Sequence, residues 1–110
     1  MAWFKEHTDP YNGAESGYSD VVTVNDGYVV VGNIKLLPAI VKYDLNGNVV
    51  WSKNYGELYT NYGSFTSIIS ISDGYIVVGT RDNLPVILKY DLNGNVVWDS
   101  YKDDKTLGKE

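Results

Sequence analysis

The sequence predicts an all-β chain made of two copies of one four-stranded antiparallel unit, and three observations carry that expectation. An octamer, Asp44-Leu45-Asn46-Gly47-Asn48-Val49-Val50-Trp51, returns letter for letter as Asp91-Leu92-Asn93-Gly94-Asn95-Val96-Val97-Trp98, 47 residues later. Around it, residues 18–51 align without a gap on 65–98, with 19 identities in 34 positions and mostly Val/Ile, Ser/Thr or Tyr/Phe exchanges elsewhere. No window carries a 3.6-residue apolar period, while Asp-Gly, Asn-Gly and Leu-Pro pairs break the chain at short intervals. Internal repeats of this length mark a supersecondary unit that buries its faces by stacking on its neighbours.

Within each unit four strands follow in order. The first spans 18–24, matched by 65–71, with Ser and Thr among the apolar residues. Asn25-Asp26-Gly27 and Ser72-Asp73-Gly74 then close a tight hairpin, where glycine accepts positive φ. The second strand, 28–32 or 75–79, is an unbroken Val/Ile run, which implies burial on both faces. Residues 33–36 against 80–83 differ most between the copies and are expected to be loop. The third strand, 39–43 or 86–90, follows a proline that opens it. After Asn46-Gly47 or Asn93-Gly94 comes the fourth, 48–53 or 95–101.

Four antiparallel strands buried on both faces and ending in Trp are what a β-propeller blade requires. A β-helix would need shorter repeats without hairpins, and a sandwich would not need two matched four-strand units. The pattern Asp-Gly-Tyr-(Val/Ile)-Val-Val-Gly, followed by Leu-Pro-x-Ile-x-Lys-Tyr-Asp-Leu-Asn-Gly-Asn-Val-Val-Trp, resembles bacterial β-propeller repeats of the broad quinoprotein-like group. The resemblance spans about residues 17–101 and implies that Trp51 and Trp98 dock neighbouring blades. It carries over no quinone-binding or catalytic residue, and the propeller fold hosts enzymes, lectins and scaffolds alike.

Ala2-Trp3-Phe4-Lys5 echoes Val50-Trp51-Ser52-Lys53, so Trp3 is expected to join the interblade set on an extra outer strand. The expected organisation is an outer-strand remnant and loop over 1–16, one blade over 17–54, a second over 55–101, and a charged tail over 102–110. Two blades cannot close a ring, and open faces would expose Val, Ile and Trp. A homotrimer or homotetramer with heterologous contacts would give six or eight blades. The close similarity of the units also fits a piece of a longer propeller or an engineered repeat.

Composition narrows the partners. At net charge −5 the surface repels phosphate, which argues against nucleic acid and anionic membranes. The absence of Cys excludes disulfides and thiol chemistry but leaves the compartment, secreted or cytoplasmic, open. No apolar run approaches the ~20 residues of a membrane span, and the first residues lack the basic start and apolar core of a signal peptide.

Candidate chemistry is sparse. Asp44-x-Asn46-Gly47-Asn48 has oxygen ligands at alternate positions, but an EF-hand wants Gly at 6 and Glu at 12; an Asx-stabilised turn accounts for it better. His7, the single histidine, lacks the partners of a zinc site or triad and fits an exposed loop. Glu6, Asp9, Glu15, Asp20, Glu57 and Asp82 form no pair repeated between the units, as a glycosidase site on the ring axis would need. No catalytic residue, metal or cofactor is expected. The segments joining fourth to first strands are rich in Tyr, and in a propeller they share a face with Arg81 and its neighbours. Tyr11, Tyr59, Tyr62, Arg81, Asp82 and Asn83 are therefore the candidate set for a carbohydrate or peptide ligand, against the alternative that the tyrosines fill wedges between blades. The expected function is a non-catalytic, self-assembling structural module, with a lectin-like ring as the alternative.

Overall fold

The computed structural model describes residues 16–56 and 62–101. Trp3, His7, Tyr11 and Tyr59 lie outside these residues. Eight strands run through the described chain: β1 (Gly17–Val24), β2 (Gly27–Ile34), β3 (Leu37–Asp44), β4 (Val49–Asn54), β5 (Gly63–Ile71), β6 (Gly74–Arg81), β7 (Leu84–Asp91) and β8 (Val96–Asp99). They form two antiparallel meanders, β1-β2-β3-β4 and β5-β6-β7-β8. The all-β architecture and the four-strand unit are as the repeat predicts.

The copies agree down to their irregularities. Ladder register slips between Tyr18 and Asp20 and between Phe65 and Ser67, and again between Lys42 and Tyr43 and between Lys89 and Tyr90. Such bulges twist a strand locally, and their recurrence at the same repeat positions means that the backbone shape is duplicated with the sequence.

Three details depart from the expectation. Positions 33–36 and 80–83 are not loops: β2 and β6 run on through Ile34 and Arg81, leaving only Lys35-Leu36 and Asp82-Asn83 as two-residue turns. All four of these residues have positive φ, between 57° and 70°, the geometry of a type I′ turn whose twist matches the flanking strands. Gly27 and Gly74, in contrast, are not at positive φ. They start strands whose partner backbone comes so close that a Cβ would meet the carbonyl oxygen of Tyr43 or Tyr90 at 1.9 or 2.0 Å. Finally, β8 ends at Asp99 instead of reaching Tyr101.

The two sheets pack face against face. Val29, Val31 and Ile40 of the first sheet share one buried cluster with Phe65, Ile68, Tyr75, Val77, Val86, Leu88 and Tyr90 of the second, with Val22, Val24 and Trp51 packed against it. On the reverse of the first sheet Ile34, Ala39, Val41 and Tyr43 form a separate buried cluster. Strand alternation explains the division, since odd positions of β2 and even positions of β3 point towards the second sheet.

Candidate functional site

The most organised surface of the chain is the seam between the sheets, and β5 is the strand that makes it, lying against β1, β2 and β3. Its Phe65 is fully buried, stacked on Tyr55 at 5.7 Å and edge-on to Tyr90 at 6.2 Å. Gly63 donates its N–H to the Leu36 carbonyl at 2.8 Å, and Tyr55 donates to that of Pro38 at the same distance. Trp51 closes the outer side. Its indole lies over the second octamer's turn, where Gly94 has φ 84° and a Cβ would sit 2.9 Å from Trp51 Cε3.

One carboxylate bridges the seam. Asp20 Oδ2 accepts hydrogen bonds from Ile68 N at 3.0 Å and Ser67 Oγ at 3.1 Å, while its Oδ1 accepts from Val21 N at 2.9 Å. The Ile68 amide above all, then the Val21 amide, hold the Asp20 carboxyl below the usual carboxylate range.

At one end of the seam lies an aromatic and charged cluster. The Arg81 guanidinium sits 4.4 Å from the Tyr55 ring centroid and 4.0 Å from that of Tyr101. Tyr55 donates a short hydrogen bond to Asp99, and Tyr101 donates to Asp82 Oδ2 at 3.3 Å. Burial first, then the bond to Asp99, pushes the Tyr55 hydroxyl above its ordinary range. Asp82 N donates to the Tyr62 carbonyl at 2.7 Å. The structure thus brings together Tyr62, Arg81, Asp82 and Asn83 from the predicted ligand set. Within this cluster the Arg81 guanidinium packs against two aromatic rings.

The turn aspartates are committed locally. Asp44 Oδ1 accepts from Asn46 N and Asn48 N, both at 2.9 Å, and Asp91 repeats this with Asn93 N and Asn95 N at the same distances. This is an Asx-type turn, as the sequence suggests. Asp26 and Asp73 instead pair with Lys42 Nζ at 2.9 Å and Lys89 Nζ at 3.0 Å, and those hydrogen-bonded ammonium groups hold both carboxyls low. Among the described residues no group of three or more His, Asp or Glu is placed to hold a metal ion.

The sheet faces are asymmetric in exposure. Trp98, the repeat counterpart of Trp51, is 44% exposed, and Ile69, Val78 and Ile87 are 57%, 38% and 39% exposed. All lie on the face of the second sheet turned away from the first. Comparisons with protein-family models, curated proteins and solved structures returned no match.

Sequence reasoning missed the bridging role of Asp20. Its repeat counterpart is Ser67, so a search for duplicated carboxylates passes over it. The Lys42–Asp26 and Lys89–Asp73 pairs were findable, because both partners recur 47 residues on.

Proposed function

We propose that each sheet is a β-propeller blade and that the protein is a non-catalytic structural module whose open face is covered by another copy of itself. Three or four chains would then close a six- or eight-bladed ring. One observation carries this. Val22, Val31, Ile40 and Trp51, which pack in the seam, have as their repeat counterparts Ile69, Val78, Ile87 and Trp98, and these present an apolar face to solvent. The second sheet thus offers the surface that the first uses to bind a sheet.

Each of those four side chains is roughly half covered already, so completing their burial stabilises by on the order of 1 kcal/mol apiece. A single seam between two free chains is weak against the roughly 4–15 kcal/mol lost in association. Closing a ring adds one seam with no further loss of translational freedom, which favours the closed species over open dimers. Sedimentation equilibrium tests the proposal. The expected mass is three or four times 12.3 kDa, and a stable monomer at micromolar concentration would refute it.

A further inference from the structure

The seam has a second end, opposite the Arg81 cluster, where the Asp-Gly hairpins lie. There the sheets part around a cleft of about 640 Å³, walled by Thr23, Asp26 and Lys42 of the first sheet and by Ser70, Tyr75 and Asn93 of the second. Tyr75, 1% exposed, belongs to the shared cluster, and Val24 packs against that cluster beneath the cleft. The polar groups converge from both sheets. Lys42, whose side chain is 12% exposed, holds Asp26 Oδ1 at 2.9 Å, while the Asp26 side chain is 74% exposed. The Tyr75 hydroxyl is near enough to feel both charges. Burial above all raises it above its ordinary value, so it stays protonated and able to donate. Among the described residues it has no hydrogen-bond partner, and neither do the side-chain hydroxyls of Thr23, Ser70 and Ser72.

We propose that this cleft binds a neutral sugar, read by the Lys42–Asp26 pair of one sheet and the Tyr75 hydroxyl of the other. The Lys42 ammonium carries three donors and commits one to Asp26, so the pair presents a donor and an acceptor side by side. Two adjacent sugar hydroxyls complete that arrangement, one accepting from the ammonium and its neighbour donating to the carboxylate. The hydroxyls of Tyr75, Ser70 and Thr23 supply further two-way partners, and Val24, Ile71 and Leu92 give the carbon edge of a ring an apolar wall. The volume falls within the ~300–1,000 Å³ of small-molecule sites. Charge argues against an anion, because Asp26 already neutralises Lys42 and the whole chain stands at −5. Tyr28 and the Lys89–Asp73 pair, the repeat counterparts of these groups, do not line the cleft. The site needs two adjacent sheets and is complete within one chain, so it is independent of the ring.

Titration of the whole chain with D-glucose, D-galactose and D-mannose, followed by amide proton–nitrogen correlation spectra, tests the proposal. At least one hexose should give saturable shifts confined to the amides of residues 23–26, 42 and 70–75, and sodium acetate should give none there. Tyr75→Phe keeps the ring and removes a hydroxyl that has no partner in the protein, so it should melt like the wild type. It should nevertheless bind the hexose about 3–10-fold more weakly, the loss of one hydrogen bond. Lys42→Met, which keeps the aliphatic stem, should weaken binding at least as much and serves if Tyr75→Phe does not fold. Silence towards all three hexoses overturns the proposal, as does acetate shifting these amides while the hexoses do not. Unchanged hexose affinity in the folded variants overturns the assignment of the sugar to these residues.

Discussion

Replacing Phe65 with alanine is the sharpest probe of what joins the two sheets. The ring is 0% exposed and lies between Tyr55 and Tyr90 at the centre of the shared cluster. A buried phenyl side chain removes roughly 150–250 Å² from water, worth about 4–6 kcal/mol at ~25 cal/mol per Å². Alanine retains part of that, and Phe→Ala losses in packed interiors run to about 3–5 kcal/mol with the cavity included. The expected loss is about 4 kcal/mol, a large share of the roughly 5–15 kcal/mol that holds a small domain folded. Urea titration followed by circular dichroism reads it: with a slope of about 1–3 kcal/mol per molar, the midpoint should fall by roughly 1.5–4 M. The control is Phe65→Tyr, which recreates the residue found at position 18, whose hydroxyl is hydrogen-bonded to that of Tyr43 at 2.7 Å; a hydroxyl at 65 would face Tyr90 in the same edge-on geometry, so this variant should lose clearly less stability than the alanine one. A loss below about 1 kcal/mol for the alanine variant would refute the claim that this ring locks the sheets together.

Two further outcomes follow from the seam. Gly94→Ala should destabilise by about 1–2 kcal/mol from the left-handed backbone alone, with Trp51 displaced by the new methyl group, so melting temperature should drop and tryptophan emission should shift to the red. Because the folded-state carboxyl of Asp20 is held low, the stability it contributes is present above the unfolded value near ~3.9 and disappears as pH falls through its folded value. The urea midpoint of wild type should therefore fall more steeply below about pH 4 than that of Asp20→Asn, and parallel curves would show that the bridge contributes nothing.

Much of the fold was legible because it is written twice. The octamer marks an Asx turn and a Trp strand, and both appear with matching distances in each copy. Lys35-Leu36 escaped notice because neither residue favours positive φ by itself. The strands on either side, paired in full register from Gly27 to Asp44, dictate the turn, so tertiary context overrides local preference. Arg81 illustrates the same limit for the site. Its place beside the turn made it a candidate ligand contact, and the three-dimensional approach of Tyr55 and Tyr101, 46 residues apart in sequence, adds a packing role that the sequence does not show.

The Asp20 bridge has a mechanical consequence for any closed assembly of these chains. The seam inside a chain is spanned by a carboxylate, whereas at a seam between chains the counterpart position is the hydroxyl of Ser67. The joints would alternate in strength around such a ring. Under load, dilution or denaturant it would come apart at the serine joints first, into intact pairs of sheets, and acid would erase the distinction by weakening the stronger joint.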